Sequence, residues 1–422
     1  MLPAALRHRR FRLLWFGLLI SVAGTQMQSA AILWHVNQLS PLPIALGAVG
    51  LARVVPVVVF SLMAGVAADT FNRRRLLFLT QASLALLSAL LGFLTWFGLD
   101  SLAMVYLVVA LLGGIATFDL PARQSLVPNL VGRDDLTNAF SLTSIAYQVG
   151  SIAGPAIGGI VLAHLGIAYA YWFNAVSYLA VIVALVRMGD VPQERQVSDG
   201  LRAGGPATLL RHVLEGLRFV RSQPLILSTM LLDFFATFFS SATALLPIFA
   251  REILRVGAIG YGWLVAAPAI GAGSAALVVA TRRQIPSQGR TLLVAVTGFG
   301  LATIVFGLSR SFWLTFVALA LTGVTDGISM IIRNTIRQLR TPDHLRGRMT
   351  SVNQIFFMGG PQLGELEAGL VAQLWGAPLS VVTGGIGCLL AVIWVRLRYP
   401  QLIHYKGTEP ILAGVPAAAA GK

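Results

Sequence analysis

Charge is what this sequence has least of. Only 11% of its 422 residues are Asp, Glu, Lys or Arg, against 56% that are hydrophobic, whereas an ordinary soluble domain is roughly 25% charged. So little charge excludes a water-wetted globule of this length and leaves lipid as the solvent for most of the surface. Lysine is nearly missing: Lys406 and Lys422 are the only two, a bias expected of a GC-rich bacterial genome. Cys388 is the single cysteine, which excludes an internal disulfide and a cysteine metal centre. The six histidines (His8, His35, His164, His212, His344 and His404) form no metal-ligand cluster. There is no Gly-x-x-x-x-Gly-Lys-Ser/Thr loop to cradle ATP and no nucleophile elbow, so neither an enzyme nor a cofactor is expected. No small-residue cleavage site marks the first apolar run, which reads as a first transmembrane helix rather than a signal peptide.

What the sequence does have is long apolar runs. A helix needs about 20 mostly apolar residues to cross the hydrocarbon core, and twelve runs qualify: 11–36, 44–68, 76–98, 102–122, 138–163, 167–188, 224–250, 258–281, 291–309, 312–334, 349–374 and 377–396. A polar stretch from Gly189 to Gln223 splits them into two sets of six. The expected architecture is therefore an all-α membrane protein. Residues 1–188 form one six-helix bundle, 189–223 a cytoplasmic linker loop, 224–398 a second bundle, and 399–422 a disordered cytoplasmic tail. The net charge of +15 would suggest nucleic acid in a soluble protein, but its distribution argues for a membrane. Twenty-seven basic residues fall in segments on one side, against Arg251, Arg255 and Arg310 on the other, with Arg53 inside a span. By the positive-inside rule both termini face the cytoplasm, which makes this a multi-pass protein of the bacterial cytoplasmic membrane.

The two sets of spans repeat one another. The fifth reads Gly-Pro-Ala-Ile-Gly-Gly (154–159) and the eleventh Gly-Pro-Gln-Leu-Gly-Glu (360–365), with Pro155 and Pro361 206 residues apart. Repeated halves are how many secondary transporters build a midplane site that opens to either side.

Three motifs carry a resemblance to the major facilitator superfamily. Gly65-Val-Ala-Ala-Asp69-Thr-Phe-Asn-Arg73-Arg74-Arg75 resembles the signature loop after the second span, with Thr70 and Asn72 departing from its basic residue and glycine; Asn is acceptable there if the backbone turns left-handed. The resemblance implies that Gly65, Asp69, Arg73 and Arg74 act as a conformational lock. Gly150, Gly154, Pro155, Gly158 and Gly159 look like the antiporter motif of exporters in that superfamily: small residues permit close helix packing and the proline bends the helix. Thr117 to Gln124, Leu130 to Ala139, Leu214 to Leu225 and Thr341 to Met349 are similar to the enterobactin-exporter-like branch. Over nearly the whole chain the resemblance implies a monomeric, proton-driven exporter of siderophores, drugs or similar amphipathic molecules. A nutrient symporter and a non-transporting sensor are the rival readings.

Ionisable groups inside spans are costly and default to functional candidates. A carboxyl held out of water exchanges protons near neutral pH, so Asp233, Glu365 and Asp326 are proton-coupling candidates, each alternatively half of a buried ion pair. Gln26, Arg53, Tyr147, Phe234, Phe238 and Gln362 are substrate-cavity candidates. Asp119 and Arg123, four apart, form an expected gating pair near the cytoplasmic surface.

Overall fold

A computed structural model describes residues 3–189, 206–281, 285, 287–342 and 345–407, and no strand occurs among them. The first six long helices are α1 (Arg9–Leu39), α2 (Pro43–Thr70), α3 (Arg73–Trp96), α4 (Leu102–Leu126), α5 (Leu136–His164) and α6 (Ile167–Met188). The second six are α7 (Pro224–Phe239), α8 (Gly257–Ala280), α9 (Gln288–Leu308), α10 (Phe312–Arg340), α11 (Arg346–Trp375) and α12 (Ala377–Arg398). Eleven are long and apolar enough to cross a bilayer, with α7 counted through its continuation to Ile253. The twelfth, α11, has the length at 30 residues, but Asn353, Gln354, Gln362, Glu365 and Glu367 dilute its apolar character.

The halves pack by one plan. In the first, α1 lies against α5 and α6, α3 against α4 and α6, and α2 against α4; in the second, α7 lies against α11 and α12, α9 against α10 and α12, and α8 against α10. Two seams join the halves, α2 on α11 and α5 on α8. Single glycines turn the chain from α5 to α6 (Gly166, φ 100°) and from α11 to α12 (Gly376, φ 85°), a backbone that a Cβ would strain.

The apolar core is divided unevenly. At the end with the short connections, one cluster runs through both halves and includes Ala31, Leu46, Tyr171, Leu245, Tyr261 and Ala372. At the arginine-rich end the clusters stay within a half: Leu77, Leu126 and Leu185 in the first, Leu292, Ile336 and Val395 in the second. The halves are thus welded at the short-loop end. Polar contacts reinforce the weld. Arg251 donates to the Asn37 carbonyl (3.1 Å) and side-chain oxygen (2.9 Å) and lies 5.8 Å from the Trp34 ring centroid. The Tyr261 hydroxyl donates to the Ala30 carbonyl at 2.8 Å.

Three expectations change. The linker is not all loop: Pro206–Ser222 is a helix, while residues 190–205 lie outside the described residues. The tail is ordered further than expected, because Pro400–His404 is helical and Leu402 and Tyr405 are buried beside α9; residues 408–422 lie outside the described residues. The seventh span is broken after Phe239 into a 3-10 turn (Ala242–Leu245), one α turn and a wide π turn ending at Ile253. The Ser241 hydroxyl takes the Thr237 carbonyl (2.5 Å), and Pro247 supplies no backbone donor.

Candidate transport site

Both seams and both halves are shaped by the repeated Gly-Pro helices. On α5, a Cβ at Gly150 or Gly154 would meet α1 backbone within 3.1 Å, at Ala23 and Met27, and one at Gly158 would stand 3.0 Å from the Met27 side chain. Gly159 points the other way, 2.6 Å from the Ala258 carbonyl and 3.0 Å from Gly262 Cα of α8. On α11, Gly360 and Gly364 press on α7 at Phe234 and Phe238, and Glu365 faces α2, its Oε2 2.7 Å from where a Gly50 Cβ would be. The matched positions therefore do matched work, except that a carboxyl stands at the second seam where glycine stands at the first. Among the described residues no donor reaches Glu365 Oε2 or Gln362 Oε1. Arg53 lies three residues, about one turn, beyond Gly50 on α2, the helix that Glu365 faces.

The second half encloses an ionic cluster. Asp326 and Arg333 are seven residues apart on α10, two turns along one face, and Arg333 reaches across to Asp233 of α7. Arg333 bonds Asp233 directly and Asp326 at 3.2 Å. Arg333 and Asp233 are buried, but the Asp326 side chain is 45% exposed and lines a cavity of about 170 Å³. Thr237, Ser240, Ser241, Thr243, Thr303 and Thr322 give that cavity a hydroxyl-rich wall, and Phe299 and Phe306 an apolar one. Several wall hydroxyls come from the break in the seventh span. Arg337, also buried, donates to Asn334 one turn back. Two carboxylates thus share one guanidinium, one sealed and one open to the cavity, so neutralising either strengthens the claim of the other on Arg333.

The first half has its own buried cluster. Asp119 bonds Arg123 and accepts from Gln81 Nε2 (2.6 Å) and Thr80 Oγ1 (3.2 Å), and Arg123 lies 3.4 Å from the Tyr147 hydroxyl. Both charges are buried, so the i,i+4 pair is packed between helices near the end of α4. The other cavity candidates lie elsewhere. Gln26 donates to Ser151 at 2.9 Å between α1 and α5, and Phe234 and Phe238 stack 5.9 Å apart along α7. In the signature loop, Gly65 and Asp69 fall in α2 with side chains outside the described residues. Arg73 donates to the Ser125 carbonyl and Asn129 (both 3.0 Å), and Arg74 to the Leu185 carbonyl (2.9 Å). Asn72 is not left-handed: at φ −63°, ψ 114° it caps α3 by accepting from the Arg75 amide. Arg333 is one of the twenty-seven basic residues on the arginine-rich side, and its i,i+7 spacing from Asp326 is the sequence signal for an inward role.

Eleven helices of membrane-spanning length and composition and a twelfth of like length, in matched halves that each bury charged side chains, give the architecture of a multi-pass membrane transporter. A family model described as transmembrane secretion effector matches residues 3–406, and the chain belongs to that family of the major facilitator superfamily. The multidrug efflux pump Tap of Mycolicibacterium fortuitum is 30% identical over 404 residues, covering 92% of this chain and 96% of that protein. The enterobactin exporter EntS of Escherichia coli (strain K12) is 27% identical over 355 residues, covering 83% and 82%. A solved bacterial homologue of the iron transporter ferroportin, in its inward-facing state, matches with TM-score 0.70 at 17% identity over 94% of this chain and 99% of its own. The nucleoside transporter NupG matches with TM-score 0.72 at 13% identity over 94% and 100%.

Proposed function

We propose that this protein is a proton-coupled exporter working by alternating access, exchanging protons for siderophores, drugs or similar amphipathic small molecules, with both termini in the cytoplasm. The observation that carries the reading is the shared arginine: Arg333 bonds the sealed Asp233 and the cavity-facing Asp326. A proton on Asp233 weakens its hold on Arg333 and leaves the guanidinium to Asp326. Cargo that engages Asp326 pulls in the opposite sense. Proton and cargo then compete through one side chain, as exchange requires. Glu365 is the second candidate carrier, isolated from donors at the α2–α11 seam. Residues 1–188 and 224–398 would move as the two rocking bodies, joined by the linker. The names of the efflux-pump and enterobactin-exporter relatives support export and this range of cargo.

Reconstituted vesicles with an imposed pH gradient test the reading. Cargo gathering on the acidic side supports exchange, gathering on the alkaline side marks a symporter, and no movement marks a non-transporting protein. Asp233→Asn should uncouple transport from the gradient; transport with unchanged pH dependence in that variant removes Asp233 from the mechanism.

A further inference from the structure

The linker helix Pro206–Ser222 has two faces of different character. Gly216 and Val220 are buried, and Val220 packs with Ile226, Met230, Met349 and Val352 at the start of α7 and α11. The opposite face is open: Leu214 is 53% and Leu217 45% exposed, and Arg218 and Arg221 are exposed beside them. At about 100° of rotation per residue these four side chains fall within an arc of roughly 100°. Glu215 lies about 60° outside that arc and is only half-buried. The stripe is therefore two leucines interleaved with two cations.

Its height is set by the chain. Ser222 leads through Gln223 into Pro224, the first residue of a membrane-spanning segment. The stripe thus lies within about three turns of where the chain enters hydrocarbon. Water suits the arginines but not the leucines, and hydrocarbon suits the leucines but not the arginines. The boundary between headgroups and acyl chains suits both, because arginine stems can run along apolar surface while their heads reach phosphates.

We propose that Leu214, Leu217, Arg218 and Arg221 form a docking surface for the headgroup region of anionic phospholipid, which pins the linker to the membrane. The pairing of exposed leucine with positive charge selects a negatively charged leaflet over a neutral one, and the stripe's continuity with α7 selects lipid over a soluble partner. Each arginine near an anionic surface adds about five-fold to the docking equilibrium, and the pair about thirty-fold. The proposal does not depend on what the transporter carries or on its coupling.

Amide hydrogen exchange of the full chain in nanodiscs tests it, using phosphatidylcholine alone and phosphatidylcholine with phosphatidylglycerol in roughly equal parts. Protection of residues 214–222 should rise by about an order of magnitude with phosphatidylglycerol, while α1 and α3 stay unchanged. The Arg218→Gln/Arg221→Gln double variant should lose that increment and keep the protection of the transmembrane helices. Equal protection in the two lipids overturns the proposal. So does an increment that survives in the double variant, or protection that follows protein concentration at fixed lipid, which would mark a second copy as the occupant. Leu214→Ser, expected to lower protection in both lipids, provides a variant that leaves the charges in place.

Discussion

Gly262→Ala is the sharpest perturbation the seams offer. Its new methyl would stand 2.8 Å from Gly159 Cα and nearer still to the Pro155 carbonyl, whereas carbon atoms at rest keep about 3.5–4.0 Å. α8 would have to retreat from α5 by about 1 Å. Overpacking of this kind costs about 1–3 kcal/mol, and the cost falls only on the arrangement in which the short-loop end is closed. The balance between closed and open forms should then shift toward open by roughly 5- to 150-fold. Spin labels at Leu99→Cys and Trp313→Cys, in a Cys388→Ser background, read this out. Both sites are exposed, at 62% and 72%, and they sit at the short-loop end in opposite halves. Electron–electron resonance should show a longer-distance population growing in the variant. Unchanged distances together with a lowered melting temperature would refute the reasoning, because the seam would then be static packing rather than a contact made in one state only.

Two further substitutions probe the ionic contacts. Arg333→Gln strands the Asp233 carboxylate in the interior and should destabilise the protein by about 3–5 kcal/mol, measured as thermal unfolding in detergent; a loss under about 1 kcal/mol would mean the cluster is hydrated rather than sealed. Arg251→Ala removes the Asn37 bonds and the Trp34 contact, and should weaken closure of the short-loop end by about 1–2 kcal/mol. Faster modification of an introduced Val36→Cys, buried at the short-loop end, by a membrane-impermeant thiol reagent in a Cys388→Ser background, relative to Arg251-intact protein, checks it.

The spans were readable because lipid imposes a length and a composition that few other constraints mimic. The seams were half readable. The paired Gly-Pro sequences located α5 and α11 as equivalent, but only packing shows that Gly158 and Gly364 face a helix of their own half while the next residue faces the other half. The site was readable in its acids and not in its bases. An aspartate in an apolar run stands out, whereas an arginine near the end of a span looks the same whether it anchors to phosphate or turns inward, as Arg123 and Arg333 do. The hydroxyl wall was not readable at all, because Ser240, Ser241 and Thr243 become cavity lining only where the seventh span abandons regular helix.

The exchange of glycine for glutamate between the seams makes the two hinges unequal. The α5–α8 seam closes on bare backbone at Gly159 and Gly262 and on the Gln148 amide donating to the Ala269 carbonyl, and none of these groups ionises. The α2–α11 seam closes over Glu365, a carboxyl whose Oε2 is buried without a hydrogen-bond partner. A fold built from two copies of one plan thereby places an ionisable group at one seam and glycine at the matched position of the other.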